Sequence, residues 1–277
     1  MIYTPRHGAP DLSTPQRREL GAFLREKRGL LTPQAAGLPP GTRRRTPGLR
    51  REEVAQLAGV SVAWYTWLEQ GRTIHPSAAT LGRVLDALRC APEDRTYVQR
   101  LLHAAPAPPT GTRDWGWDPQ LQEVLDAFLP SPALLLDRHW QRLAQNANAR
   151  HLNFLPRPDE EVSILDVMFL HPESRSAVSN WPEQARHLVA TFRLDSSTYP
   201  DDEWFARKVR DLSARSPEFA QFWAERQVRE HRAQSAVVRH PQFGELELHL
   251  TWMQVLGAPH LKLLLCTVAA GTPSPWT

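Results

Sequence analysis

Apolar positions in the first hundred residues recur at the three- and four-residue spacing of helices. Thr14 and Pro15 read as a helix start, cap then first helical position, and Leu20, Phe23 and Leu24 form an inward stripe that runs to about Arg28. Leu31–Pro47, with Gly37, Pro39, Pro40, Gly41 and Pro47, is expected to be a long loop. A second helix is predicted over Glu52–Ala58, with Val54, Leu57 and Ala58 facing inward. Gly59 then stands where the chain must turn sharply, a place where only glycine takes a positive φ without steric cost. Val60 is expected to plug inward, Ser61 to cap a third helix over Val62–Gln70, and Gly71 to end it. Tyr65 and Leu68 share the inner stripe of that helix, which leaves Val62, Ala63, Thr66 and Trp67 outward. Ser77 caps a fourth helix with Leu81, Val84, Leu85 and Leu88 inward, and Ala91-Pro92-Glu93 starts a fifth with Tyr97, Leu101 and Leu102 inward.

The pattern changes beyond a proline-rich stretch, residues 105–118, which reads as an extended, semi-rigid linker. Pro119–Leu129 is amphipathic through Leu121, Val124, Leu125 and Phe128. Ala133–Asp137 reads as a buried strand, Arg138-His139 as a hairpin turn and Trp140–Gln145 as a second strand; Asn146 opens a short helix ending near Phe154. Ile164–Glu225 is mostly helical and heavily aromatic, and rings at helical spacing serve either as core or as the wall of an apolar pocket. Strands return at Ala236–His240, at Glu245–Leu250 and at Leu261–Val268. In the middle one Leu246, Leu248 and Leu250 alternate strictly with Glu245, Glu247 and His249; the last is apolar at nearly every position. Two early and three late strands with helices between them give an antiparallel sheet, in the order of PAS-type sensory domains. The expected architecture is therefore α+β. An all-α five-helix domain spans 14–104, a five-stranded PAS-like domain spans 119–272, and the ends are loose.

A chain of 277 residues, 41% apolar, can build both cores. Its longest apolar run, Leu261–Ala270, contains Lys262 and is far shorter than a membrane span. Met1–Arg18 lacks the apolar stretch of a signal peptide. The two cysteines, Cys90 and Cys266, lie far apart without CxxC spacing, which argues against zinc and disulfides and for a reducing compartment. A cytoplasmic protein without membrane insertion is expected. Arginine outnumbers lysine 30 to 3, so arginine count alone says little, but its distribution says more. Residues 1–105 hold 16 basic against 9 acidic side chains, and the remainder 17 against 21. The front half has the footprint of a polyanion binder.

That footprint surrounds the spacing of a helix-turn-helix: a small residue, then Gly four later, then apolar residues one, six and nine beyond it, at Ala55, Gly59, Val60, Tyr65 and Leu68. Double-stranded DNA is the expected partner. Arg43, Arg44, Arg45, Arg50, Arg51 and Arg72 would meet phosphates, and Val62, Ala63 and Thr66 base edges, with Ser61 and Trp67 beside them. One short recognition helix carries little specificity, so a homodimer is expected. Catalysis is not: the sequence has no HExxH, no Gly-rich phosphate loop and no Ser/His/Asp set on strand ends. No cofactor is required.

The stretch RRRTPGLRREEVAQLAGVSVAWYTWLEQGR, with Pro132–Asp137, Leu143–Ala149, Trp181–Arg193, Ser216–Phe219, Trp223, His240–Leu246 and Gly271-Thr272-Pro273-Ser274, resembles the MmyB-like family. These are regulators with an XRE-type helix-turn-helix and a C-terminal PAS-like ligand-binding domain. The resemblance implies a sequence-specific bacterial transcription regulator whose second domain binds a small amphipathic ligand of the fatty-acid class. It departs from the family pattern at Gln145, where Trp is usual, and at Ser163-Ile164-Leu165, where an Arg-Asn pair is frequent. Arg193, Asn146 and His240 are candidates for the ligand's polar head, and Phe169, Phe192, Phe205, Phe219 and Trp223 for its apolar sleeve. Each polar candidate has a structural alternative: an internal salt bridge for Arg193, a helix cap for Asn146, a turn for His240. The second domain could also serve only dimerisation or partner binding, and a PAS fold can also hold haem or flavin.

Overall fold

The computed structural model describes residues 12–39, 47–102, 120–152, 162–256, 258–268 and 276, in two compact units. The arginine triplet 43–45, the linker and most of both termini lie outside the described residues. Among the described residues, no helix is long and apolar enough to cross a membrane.

The N-terminal unit has the five expected helices: α1 (Thr14–Leu30), α2 (Arg51–Ala58), α3 (Val62–Glu69), α4 (Ala78–Ala87) and α5 (Pro92–Leu102). The cap of α1 is Ser13, one residue before the expected Thr14. Ser13 and Gln16 bond each other's backbone N–H, a reciprocal capping box that Thr14 cannot make with Arg17. Leu20, Phe23 and Leu24 turn inward onto a core that includes Leu49, Val54, Tyr65, Val84, Tyr97 and Val98. Each such fully buried side chain contributes about 1.5–3 kcal/mol. Leu57 is a correction: it is 40% exposed, because α2 packs through Val54, Ala55 and Ala58. That face centres near Ala58, from which Leu57 is turned by roughly 100°. Val60 and Leu102, expected inward, are only half-buried.

The C-terminal unit opens with α6 (Gln120–Ala127), which is buried at Leu125 while Val124, expected inward, is exposed. Strands β1 (Ala133–Leu136), β2 (Arg142–Gln145), β3 (Gln234–His240), β4 (Gly244–Val255) and β5 (Ala258–Val268) form one sheet in the order β2-β1-β5-β4-β3. Every neighbouring pair is antiparallel. Between β2 and β3 come a short 3-10 helix (Ala147–His151), opened by Asn146 as expected, and α7 (Ile164–Leu170), α8 (Pro172–Ala177), α9 (Trp181–Ser196), α10 (Glu203–Arg215) and α11 (Pro217–Ala224). Trp140, expected in the second strand, is buried in the corner before it at φ 61°, which delays β2 to Arg142. Strand β4 runs five residues past the expected Leu250, since β5 pairs with it out to Val255. One sheet face packs Ala133, Leu135, Leu261 and Leu263 against Leu125 of α6. The other faces α7 and α9.

Candidate functional site

The turn between α2 and α3 follows from one glycine and one serine. Gly59 adopts φ 64°, ψ 41°, the left-handed conformation that ends a helix. The Ser61 hydroxyl then accepts the Trp64 N–H at 3.2 Å and restarts one. Tyr65 and Leu68 are buried at 0% and 3% exposure. Opposite them, Val62, Ala63 and Trp67 are exposed and Thr66 is half-buried, as the spacing predicts. Gly71 takes φ 66°, and the N–H groups of Gly71 and Arg72 cap the carbonyls of Leu68 and Trp67. Arg50 and Arg72 are exposed at the flanks of the motif.

Arg51 is placed differently. Its Nε donates to Glu69 Oε2 at 2.8 Å, and Arg28 Nε donates to Glu69 Oε1 at 2.5 Å. Arg25 donates to the Glu69 carbonyl. Glu69, the last residue of α3, thus joins α1, α2 and α3 through one buried carboxylate. Burial alone would raise its pKa, but the Arg28 and Arg51 hydrogen bonds hold it below the ordinary carboxylate range. The same burial, with the Glu69 charge, pushes the Tyr65 hydroxyl above its usual range. Glu69 was not singled out by the sequence. Its signal was an acidic residue four after buried Tyr65, on the inner stripe of an arginine-rich domain.

In the second unit a cavity of about 60 Å³ lies between the sheet and α7 and α9. Its floor is alternate residues of three neighbouring strands: Gln234, Ala236 and Val238 of β3, Leu248, Leu250 and Trp252 of β4, and Leu264 and Cys266 of β5. Its roof is Ile164, Met168, Val178, Gln184 and Leu188. Burial pushes the Cys266 thiol up to about 12, which keeps it protonated and inert at neutral pH.

None of the eight residues expected to hold a ligand lines this cavity. Asn146 caps the 3-10 turn through the Ala149 N–H and also binds the backbone of Leu125, Ser131 and Ala133. The Nδ1 of His240 accepts from the Gln242 N–H, so its Nε2 donates to the His151 carbonyl at 2.9 Å. Buried Arg193 donates to the Trp223 carbonyl and lies 3.7 Å over the Trp223 ring. It sits five residues after Leu188 on α9, turned by about 140° from the face over the cavity. Phe169, Phe192, Phe205, Phe219 and Trp223 pack on one another and on Trp181 and Trp204 as a network of rings. The aromatic load is core; the cavity wall is mainly aliphatic.

Beside the cavity lies a buried polar knot. Asp195, seven residues after Leu188 and so on the same face of α9, accepts from Trp140 Nε1 at 3.0 Å, from His231 Nε2 at 2.8 Å and from Lys262 Nζ. Burial would raise its pKa, and Lys262 and His231 reverse that and hold it well below the ordinary range. Lys262 stands on the same strand face as Leu264 and Cys266. A lone lysine within an otherwise apolar strand was the sequence signal for this knot.

A family model described as the MmyB-like transcription regulator ligand binding domain matches residues 117–276. A helix-turn-helix domain model matches residues 19–98. No curated protein matches the chain.

Proposed function

Because the chain belongs to the MmyB-like transcription regulator family, we propose that it is a sequence-specific bacterial repressor or activator of the XRE type that binds duplex DNA as a homodimer and answers to a small amphipathic ligand. One observation carries the DNA reading: α3 is anchored at Tyr65, Leu68 and Glu69 and presents Val62, Ala63, Thr66 and Trp67 to solvent. These side chains meet base edges in the major groove. Arg50 and Arg72, with Arg43, Arg44 and Arg45, meet phosphates. Arg51 serves chiefly to hold α3 through Glu69. The ligand has an acyl-type body, of which a fatty acid is the simplest case, and sits between the sheet and α7 and α9. It acts by its differential affinity for DNA-competent and DNA-incompetent arrangements. The regulator architecture accounts for the chain without catalysis.

A cavity of about 60 Å³ is small beside the roughly 300–1,000 Å³ of sites for drug-sized ligands. That favours a second reading, in which the C-terminal domain only dimerises or binds a partner. Mass spectrometry of small molecules released from denatured protein separates the two.

The DNA reading is tested by fluorescence anisotropy on a duplex from the gene's own upstream region. Affinity should fall steeply with salt, and Arg50→Ala should weaken binding to all sequences alike while lowering the salt slope by about 1. Thr66→Ala should shift sequence preference instead. No salt-sensitive association at low ionic strength would refute the proposal.

A further inference from the structure

Any preference among ligands at this cavity rests on its proposed role as a ligand site. Among the described residues, every one that lines the cavity is uncharged: Ile164, Leu188, Leu248 and Leu264 bury the deep part, and Gln184 and Gln234 stand at the partly exposed rim. The cation that β5 places beside this wall, Lys262, is already paired with Asp195, which also accepts from His231 and Trp140. The knot therefore compensates its own charge. Trp252, which lines the cavity, has its ring 4.6 Å from that of His231. A carboxylate entering here would lose part of its hydration without meeting an unpaired cation among the described lining residues, unless it displaced Asp195 from two partners that hold it ionised. The rim offers something else. Gln184 Nε2 donates to the Ser235 carbonyl at 3.0 Å, which fixes the side chain and keeps its carbonyl oxygen as an acceptor. Gln234, on the neighbouring strand face, adds a second carboxamide with both donor and acceptor.

We infer that the cavity selects uncharged ligands, namely short acyl derivatives whose acid is masked as an amide, with the head bonded by Gln184 and Gln234. Ionised fatty acids are the members of the acyl class that this wall admits least. The apolar body supplies affinity that acid and amide share, and the rim supplies the difference between them.

The test is a matched pair with one eight-carbon chain, octanoate and octanamide, titrated into the full-length protein by calorimetry at pH 8. Octanamide should bind at least tenfold more tightly. Octanoate binding as well as octanamide, or better, would overturn the inference while leaving the ligand reading intact. If neither compound binds and extracts of the purified protein hold no small molecule, the ligand reading fails and this inference with it. Gln234→Leu should cut the preference below threefold without lowering the melting temperature. Gln184→Met, close in size, provides the same measurement if the strand variant fails to fold. Variants that fold and keep the full preference would show that these amides do not read the head.

Discussion

Glu69 meets two arginines that lie 18 and 41 residues earlier in the chain, and its position shows why some residues are legible in a sequence and others are not. Gly59 and Ser61 act on backbone one to three residues away, so spacing alone identifies the turn and the cap. Glu69 and Asp195 act across the fold, Asp195 on a lysine 67 residues distant, so local spacing does not name their partners. Removing the Glu69 carboxylate leaves Arg28 and Arg51 facing each other with their charge uncompensated. Glu69→Ala should cost the N-terminal unit about 3 kcal/mol, read from hydrogen exchange at the Leu24 and Val54 amides, and should lower DNA affinity. A lowered carboxylate pKa stabilises the fold fully above its ordinary value of 4.5, and that stabilisation is lost as pH falls through the lower, folded value. Glu69→Gln should lack this acid-dependent loss. Wild type and Glu69→Gln losing protection in parallel below pH 4.5 would show that the triad is not what titrates.

At the scale of elements, α3 depends on how closely α1 can approach it. A Cβ built at Gly21 would lie 2.5 Å from the Glu69 carbonyl oxygen, in backbone that cannot step aside cheaply. Gly21→Ala should therefore destabilise by about 1–3 kcal/mol and weaken DNA binding without touching an outward residue, checked by urea denaturation and by anisotropy. Unchanged stability would mean that the helices separate freely. Helix faces were legible where the stripe was continuous, as in α1 and α4. They were misread at Leu57 and Val124, where a small neighbour or a single leucine makes the contact instead. Strict alternation at Leu246, Leu248 and Leu250 located a sheet face correctly, and two of those leucines line the cavity. The extension of β4 to Val255 was hidden because Thr251–Val255 does not alternate and is held in place by its pairing with β5.

For the molecule as a whole, the period change near residue 119 and the charge difference between halves marked two domains of different kinds. The two family models match residues 19–98 and 117–276. The cavity was not legible in the same way. The aromatic load of Ile164–Glu225 suggested a pocket wall, but rings gain most from one another, and Phe169, Phe192, Phe205, Phe219 and Trp223 pack on one another instead. Mainly aliphatic residues from three strands, two helices and the segment between α8 and α9 surround the remaining space, a combination that no single stretch of sequence displays.

That space has a mechanical consequence. A cavity of about 60 Å³ is roughly 36 mL per mole, within the span of volume changes by which hydrostatic pressure unfolds proteins. Compression should therefore loosen the C-terminal unit first, with the methyl resonances of Leu248 and Leu250 shifting non-linearly before those of Leu24 or Val54. An occupant of the cavity should make the domain stiffer and suppress that response. Equal compressibility in both units would mean that the gap closes by side-chain relaxation in solution.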